Sequence, residues 1–189
     1  MLVIGLGHKA RQGKNTVAEM LVKEFAAIDV YAKQYAFADA LKAYCRVAFG
    51  MRSKNSELLQ TVGTNLFRIH VCNNIWIETL FQQIKEEQPQ VAIITDVRFL
   101  NEAAALRHIH SEMGDYLGEY ASYHVNVKRL DPITGDQYIA TDRNPNHASE
   151  VELDDYTGYN YYLVNSGTIQ DLRRQVNELV RLELKHFIL

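Results

Sequence analysis

Residues 2–16 read L-V-I-G-L-G-H-K-A-R-Q-G-K-N-T, and this stretch decides the fold. The apolar run at 2–6 predicts a short buried strand, and the apolar positions that follow residue 16 recur at helical spacing. A basic loop between a strand and a helix directs its backbone N–H groups around an anion, and the helix N-terminus adds its positive end. The stretch therefore predicts a phosphate-binding loop at the start of an α/β domain.

This loop departs from the usual pattern G-x-x-x-x-G-K-[ST] at two places. Counted back from Gly13, the first glycine position falls on His8, and Asn15 stands where a hydroxyl normally faces Mg²⁺. A carboxamide oxygen can still face Mg²⁺, directly or through water, because this ion keeps several waters. We expect Lys14 to reach the β- and γ-phosphates of a nucleotide and Thr16 to bond its α-phosphate. The alternative is a basic turn that only caps a helix.

Length and composition narrow the class of protein. The 189 residues suggest one domain spanning 1–189. A formal charge of −3 argues against a general nucleic-acid binder, which usually shows a basic face. The apolar runs are too short to span a membrane, and the N-terminus lacks a signal-peptide layout. Cys45 and Cys72 fit neither a metal site nor a disulfide framework, so we expect a cytoplasmic protein. We expect no nucleic-acid or membrane partners, and either a monomer or a homodimer.

Strand candidates alternate with helical patterns along the chain. Apolar runs lie at residues 2–6, 33–37, 91–96, 121–129 and 160–165. Apolar positions at helical spacing mark residues 14–27, 39–49, 55–85, 99–113 and 169–186. Asp39 is the expected N-cap of the second helix, and Thr168 with Asp171 forms a capping box before the last one. This alternation predicts a parallel sheet covered by helices on both faces.

The stretch V-A-I-I-T-D-V-R-F-L-N-E at 91–102 is an apolar strand that ends in Asp96. Ligands of open α/β sheets bind at the carboxyl ends of the strands, so Asp96 is a candidate for the magnesium shell. Arg98 offers a fork of donors that suits a phosphate. An alternative, compatible with the first, is that Asp96 caps the next helix and pairs with Arg98.

A second group of polar residues indicates another ligand. On a helix, Gln60, Thr64 and Arg68 fall at i, i+4 and i+8 and form one stripe. Such a stripe either lines a groove for a second phosphate-bearing molecule or is an ordinary solvated face. Lys42 lies in the first turn of a helix, where a cation is unfavourable unless it faces an anionic ligand.

Two loops complete the pattern. Residues 130–150 are polar and contain the turn D-P-I-T-G-D at 131–136. A segment of this length inside a compact domain is usually functional or disordered, so we predict an active-site lid, the alternative being a surface excursion. The loop after the last strand contains Asn165, which could border an adenine ring or belong to a plain turn.

These segments, in this order, resemble the phage-type deoxynucleoside monophosphate kinases, which are P-loop enzymes. The matching stretches span nearly the whole chain: G-K-N-T at 13–16, F-A-D-A-L-K at 37–42, L-Q-T-V-G-T at 59–64 with Arg68, D-V-R-F-L-N-E at 96–102, H-A-S-E at 147–150 and N-S-G-T-I-Q-D-L at 165–172. The segment D-V-R-F-x-N-E is the most specific of them. The family usually has an acidic residue where Asn15 stands, and often one near Asn65 and Asn74, so these departures bear on magnesium geometry and on sugar or base preference.

The resemblance implies a three-layer P-loop NTPase fold with a five-stranded parallel sheet, a helical acceptor-binding region at about 39–88 and a lid at about 130–150. It also implies Mg²⁺-assisted transfer of a phosphoryl group from ATP to deoxynucleoside monophosphates, in the host cytoplasm if a phage encodes the chain. Two alternatives stay open: another small-molecule P-loop kinase, such as a dephospho-coenzyme A kinase or a nucleoside kinase, and a non-catalytic nucleotide-binding module.

The expected site residues fall into groups by role. Those expected to bind ATP are Lys9, Ala10, Gln12, Gly13, Lys14, Asn15, Thr16 and Asn165. Those expected to bind the acceptor are Lys42, Gln60, Thr64, Arg68, Trp76, Arg98 and Glu150. Those expected to serve catalysis are Lys14, Arg11, Arg143 and Asp96, with Arg11 and Arg143 neutralising charge in the transition state. Asn15 and Asp96 are the expected magnesium ligands.

Overall fold

A computed structural model describes residues 1–7, 9–108 and 121–187 of the chain. Its centre is a parallel sheet with the strand order β2–β3–β1–β4–β5. The strands are β1 (Leu2–Gly7), β2 (Ala32–Tyr35), β3 (Val91–Val97), β4 (Ala121–Arg129) and β5 (Tyr161–Asn165). In the central register, Ile4 of β1 lies opposite Ile93 of β3 and Tyr123 of β4. The predicted five-stranded parallel sheet is thus confirmed.

Helices connect these strands. They are α1 (Lys14–Ala26), α2 (Ala38–Phe49), α3 (Ser56–Gln60), α4 (Ile75–Glu87), α5 (Leu100–His108), α6 (Ala148–Val151) and α7 (Ile169–Glu178). Two π-helical segments, Thr61–Arg68 and Leu179–Leu184, continue α3 and α7, and a 3₁₀ turn follows at Lys185–Phe187. Residues 109–113, predicted to extend α5, lie outside the described residues. Within the ranges described, every helix is too short or too polar to cross a bilayer.

Alternate residues of β1 enter two different apolar cores. Leu2, Ile4 and Leu6 pack in the layer that holds α1 and α7. Val3 packs on the opposite face, in the layer that holds α2, α4 and α5. Each fully buried aliphatic side chain of this kind contributes about 1.5–3 kcal/mol to folding. The sheet is therefore covered on both faces, which confirms the predicted three-layer arrangement.

The capping predictions had opposite outcomes. The box before α7 is confirmed, because Thr168 Oγ1 accepts the Asp171 N–H at 3.3 Å and the Asp171 carboxylate accepts the Thr168 N–H at 3.0 Å. The assignment of Asp39 as an N-cap is wrong, since it lies inside the first turn of α2. The carboxylate of Asp96 takes that place from the neighbouring strand, accepting the N–H of Phe37 at 2.8 Å and of Ala38 at 3.0 Å.

The helical pattern at 55–85 is not one helix. The π-helical segment Thr61–Arg68 follows α3, and α4 begins only at Ile75. At Gly63 the chain passes so close to α2 that a Cβ atom would lie 2.4 Å from Leu41 Cδ2. The Gly63 carbonyl also accepts the indole N–H of Trp76 at 3.1 Å. These two contacts join α2, the π-helical segment and α4 into one wall above the sheet.

Segment 130–150 begins after the C-terminal end of β4 and folds back toward the loop that follows β1. A bridge between Leu130 and Gln137 closes its turn, with Gly135 at φ 75°. The Tyr138 carbonyl then accepts a hydrogen bond from Gln12 at 2.8 Å. The segment therefore lies against the loop that joins β1 to α1.

Candidate active site

The loop between β1 and α1 has the backbone form of an anion cradle. Arg11 lies at φ 61° and Gly13 at φ 100°, both in the left-handed region. Left-handed residues turn successive N–H groups toward one point, and a non-glycine residue held there is typical of functional sites. A Cβ atom at Gly13 would lie 2.7 Å from Asn165 Nδ2, so glycine is required. Because α1 begins at Lys14, its N-terminus faces the same point.

The side chain of Gln12 connects this loop to segment 130–150 and to the end of β4. Its side chain is buried, donating to the carbonyl of Tyr138 at 2.8 Å and accepting the N–H of Arg129 at 2.7 Å. Its own carbonyl accepts Nδ2 of Asn165 at 3.2 Å. Both polar ends of the Gln12 amide are thus engaged with protein groups, so only its backbone is left to meet a phosphate.

Lys14 is the cation at the centre of the loop. Its side chain is buried, and Nζ donates a hydrogen bond to the carbonyl of Lys9. Burial lowers the pKa of Lys14 well below its ordinary value, and repulsion from Arg98 adds to the effect, although Glu150 and Asp96 oppose it. An ammonium group in this setting gains most from an anion that replaces the lost hydration.

The loop forms one wall of a cleft of about 440 Å³, a volume within the usual range for small-molecule sites. Most of the predicted site residues line it: Ala10, Arg11, Gln12, Gly13, Lys14, Asn15, Thr16, Lys42, Gln60, Thr64, Arg68, Trp76, Asp96, Arg98 and Arg143. The polar stripe Gln60, Thr64 and Arg68 therefore faces the cleft rather than bulk solvent. The cleft brings the phosphate loop opposite a second set of cations.

Three predicted residues do not line this cleft. Lys9 turns to the carbonyl of Glu150, at 2.8 Å, and forms an ion pair with Asp154. Asn165 lies behind the loop against Gly13, and the Glu150 carboxylate accepts the N–H of Ala10 at 3.0 Å. These side chains support the loop from outside the cleft.

Arg68 lines the cleft from the π-helical segment. Its guanidinium forms a buried ion pair with Glu102 and lies 4.1 Å from the ring centroid of Phe99. Glu102 in turn accepts the N–H of Arg98 at 2.7 Å and of Phe99 at 3.1 Å. Burial raises the pKa of Glu102 to about 7, against the opposing effect of Arg68. Sequence analysis missed Glu102, although it closes the D-V-R-F-L-N-E segment.

Asp96 and Arg98 do not pair with each other. Asp96 caps α2, and Arg98 forms its ion pair with Glu150, so the alternative that joined them is wrong. Lys42 has a partner of its own, since Nζ lies 2.7 Å from Asp39 Oδ1. That carboxylate compensates the charge of Lys42 near the start of α2, so the helix position by itself does not require a ligand, although Lys42 lines the cleft.

Oxygen donors suited to Mg²⁺ meet at the cleft. Asn15 and Thr16 line it from α1, and Asp96 lines it from β3. Across the described ranges, no group of three or more His, Cys, Asp or Glu side chains is arranged to hold a metal ion. Mg²⁺ is commonly bound by one or two protein oxygens together with substrate phosphates and water, and this donor set fits that mode.

Lys54 lines the cleft and was also missed, because it lies in the connection between α2 and α3 and belongs to no motif. The pKa of Lys54 is lowered by desolvation and by repulsion from Arg143 and Arg98. Such mutual repulsion indicates that cations from separate elements crowd one space. An anion bound there would relieve it.

Five alternating charges connect three parts of the cleft wall, and we name them the charge chain: Arg11, Asp142, Arg143, Glu150 and Arg98. Arg11 Nη2 lies 2.7 Å from Asp142 Oδ2, and Arg143 Nε lies 3.1 Å from Asp142 Oδ1. Arg143 Nη1 lies 3.2 Å from Glu150 Oε1, which also pairs with Arg98. The charge chain runs from the β1–α1 loop through segment 130–150 to the end of β3.

Two curated proteins are similar in sequence to this chain, although no family model matches it. A protein of Acanthamoeba polyphaga mimivirus, provisionally named a deoxynucleotide monophosphate kinase, is 27% identical across 93% of this chain and 94% of its own length. The deoxynucleoside-5′-monophosphate kinase of Escherichia phage T5 is 47% identical over a shorter stretch, 32% of this chain and 25% of its own.

Solved structures of kinases share the fold. Shikimate kinase of Aquifex aeolicus superposes with a TM-score of 0.53 at 15% identity, over 97% of this chain and 98% of its own. A provisionally assigned kinase of Chloroflexus aurantiacus gives a TM-score of 0.50 at 15% identity, over 98% and 96% of the two chains. The protein therefore has the P-loop NTPase fold that its sequence predicts. Its resemblance to the phage-type deoxynucleoside monophosphate kinases is confirmed by the two curated proteins.

Proposed function

We propose that this protein transfers the γ-phosphoryl group of ATP to a deoxynucleoside monophosphate, giving the diphosphate and ADP. The observation that carries the proposal is that one cleft is lined both by the phosphate loop and by Arg68, Arg98 and Lys42, which belong to other parts of the chain. Two phosphate-binding regions in one cleft suit transfer between two nucleotides better than binding of one. The similarity to viral and phage kinases of that activity supports the same reading.

On the donor side, the backbone N–H groups of residues 11–16 and the ammonium of Lys14 hold the triphosphate, with Thr16 on a donor phosphate, while the N–H of Ala10 stays on Glu150. The left-handed backbone at Arg11 and Gly13 fixes these groups before ATP arrives. Phosphoryl transfer leaves little covalent work to the protein, so its contribution is position and charge neutralisation.

On the acceptor side, Arg68, Arg98 and Lys42 grip the monophosphate, and Gln60 and Thr64 bond its sugar or base. The ion pair of Arg68 with Glu102 keeps the guanidinium in place, so little freedom is lost on binding. Trp76 lines the cleft with its indole N–H tied to Gly63, which gives the base a fixed aromatic surface.

Segment 130–150 acts as the lid. It supplies Arg143, whose side chain is already linked through Asp142 to Arg11 of the loop. With both guanidinium groups near the transferring phosphoryl group, the charge of the transition state is neutralised. A closed lid also excludes water and so suppresses hydrolysis of ATP.

Asn15 and Asp96 would hold Mg²⁺, chiefly through water, as the carboxylate of Asp96 already accepts two N–H groups. When bound, Mg²⁺ supplies positive charge to the β- and γ-phosphate oxygens. The protein's own part is to hold the oxygen donors on the donor side of the cleft.

A panel of acceptors with ATP, read out as ADP formed, tests the proposal. The panel contains the four deoxynucleoside monophosphates, their ribose forms, dephospho-coenzyme A and nucleosides. We expect ADP to form with at least one deoxynucleoside monophosphate far faster than without acceptor. ADP only with dephospho-coenzyme A or a nucleoside would identify a different kinase, and ATP binding without acceptor-dependent ADP would identify a binding module.

A further inference from the structure

Glu150 is the point where three parts of the cleft wall meet. The residue is 5% exposed and does not line the cleft. Oε2 accepts the N–H of Ala10 at 3.0 Å, while Oε1 takes Arg143 at 3.2 Å and also Arg98. Its main-chain carbonyl accepts Lys9 Nζ at 2.8 Å. Glu150, at the end of segment 130–150, thus contacts the loop at Ala10, Arg143 of its own segment and Arg98 directly after β3.

The charge on this carboxylate is well compensated. Burial raises the pKa of Glu150, but Arg98, the N–H of Ala10 and Arg143 together outweigh burial and hold that pKa below its usual value. The side chain is therefore ionised at neutral pH. Two guanidinium groups share one oxygen, so loss of the negative charge would leave two buried cations facing each other, which is strongly unfavourable.

We infer that Glu150 is a positioning residue for phosphoryl transfer: its carboxylate sets Arg98 and Arg143 relative to the backbone of the phosphate loop at Ala10. This inference rests on the proposed function, and it differs from the direct acceptor contact that the H-A-S-E motif led us to expect. Arg98 meets the acceptor phosphate, Arg143 meets the transferring phosphoryl group, and Glu150 acts through both arginines.

The arrangement couples the two substrates. Oε2 of Glu150 contacts the loop that is proposed to bind ATP. Oε1 contacts Arg98, which is proposed to bind the acceptor phosphate. Because one carboxylate contacts both the loop and these arginines, ATP bound to the loop would stabilise the positions of Arg98 and Arg143. We therefore expect ATP and acceptor to strengthen each other's binding, and coupling between sites is commonly about 5–150-fold.

The test compares Glu150→Gln with Glu152→Gln. Glu152 is a matched control: it lies in the same region, accepts the N–H of Leu100 at 2.8 Å and forms no ion pair with the described arginines. The affinity for a non-hydrolysable ATP analogue is measured by calorimetry with and without the best acceptor from the panel, and kcat is measured alongside. We expect wild type and Glu152→Gln to share one coupling factor.

Glu150→Gln is expected to lose most of that coupling and to lower kcat by about tenfold or more, as removal of supporting partners typically does. Its affinity for the ATP analogue alone should stay within about threefold of wild type, since the N–H of Ala10 can still meet an amide oxygen. Turnover of the acceptor by wild type tests the proposed function separately. Wild-type turnover without any coupling would overturn the inference about Glu150.

A second readout does not depend on which acceptor is used. The Arg143 side chain is 6% exposed, so trypsin should cut after it slowly in wild type and in Glu152→Gln. Trypsin should cut Glu150→Gln after Arg143 several times faster, because the Arg143 side chain then keeps its ion pair with Asp142 but loses the one with Glu150. Equal cutting in all three proteins, with equal coupling, would overturn the inference.

Thermal unfolding establishes that each variant is folded. If Glu150→Gln does not fold, Glu150→Asp takes its place, because it keeps the charge but shortens the reach. We expect Glu150→Asp to fall between wild type and Glu150→Gln in kcat and coupling. Wild-type coupling in a folded Glu150→Asp protein that is cut no faster at Arg143 would contradict the proposed role.

Discussion

The ammonium group of Lys14 donates a hydrogen bond to the main-chain carbonyl of Lys9, so the side chain folds back across the loop that precedes it. A carbonyl oxygen is a weaker partner for an ammonium than a phosphate oxygen, because it carries only a partial charge. Burial has already removed most of the water from this lysine and lowered its pKa. The side chain is therefore placed for a triphosphate before the ligand binds.

Lys14→Met should abolish most turnover without unfolding the protein. One charge-assisted contact to the transition state contributes about 10²–10³-fold to kcat, so a loss of that order is expected in ADP formation. The unfolding temperature without ATP should stay equal or rise, because an apolar side chain replaces a buried cation. Lys23→Met, on the exposed end of the same helix, is the control. A folded Lys14→Met protein with wild-type turnover would contradict the role of Lys14.

Gly13→Ala should weaken ATP binding far more than Gly135→Ala. Both glycines have positive φ, 100° and 75°, so each alanine costs about 1–2 kcal/mol of backbone strain. Only at Gly13 would the new Cβ collide, at 2.7 Å from Asn165 Nδ2, whereas Gly135 has nothing within 4 Å. Calorimetric titration with an ATP analogue should show at least a tenfold loss (on the order of one charged contact) for Gly13→Ala alone. Equal affinities in the two variants would show that the loop tolerates the collision.

Arg68→Lys should impair use of the acceptor and spare ATP. Lysine keeps a positive charge beside the buried Glu102 but loses the planar fork that can hold a phosphate and a carboxylate together. We expect the KM of the acceptor to rise about tenfold or more, the effect of losing one hydrogen bond to a charged group, and the KM of ATP to change by less than about threefold. Arg174→Lys, an exposed change on α7, controls for the substitution itself. Equal increases in both KM values would place Arg68 elsewhere in the reaction.

Glu102 should make the free energy of unfolding depend on pH between about 4.5 and 7. Its pKa is raised from 4.5 to about 7 in the folded protein, so in this window the folded state binds more protons than the unfolded state. Stability from this group is therefore present at low pH and is lost as pH rises toward 7. The difference in unfolding free energy between wild type and Glu102→Gln, from urea titrations, should shift in favour of the variant across that window. A constant difference would mean that the Arg68 ion pair keeps the carboxylate ionised throughout.

The elements could be predicted because their signals are local. The alternation of apolar runs and helical spacing marks the strands and most helices, and the capping box of Thr168 and Asp171 lies within four consecutive residues. The polar stripe of Gln60, Thr64 and Arg68 survives the change to a π-helix, because residues four apart still share a face. Local rules were enough wherever partners are close in sequence.

The failures concern partners that are distant in sequence. Asp39 has the right type and place for an N-cap, yet Asp96, from another strand, caps α2. Glu102 and Lys54 reach the cleft only through the tertiary fold. A motif also does not show whether a side chain points into the cleft or away from it. Lys9, Asn165 and Glu150 belong to motifs but do not line the cleft.

The central position of β1 has a consequence for how the protein opens. All six residues of this strand are buried, and it is bonded on both sides, to β3 and β4. Its amides should therefore be among the last to exchange with deuterated solvent, whereas those near Gly135 should exchange early. Local opening of the peripheral segments then need not disturb β1, the strand from which the phosphate loop begins.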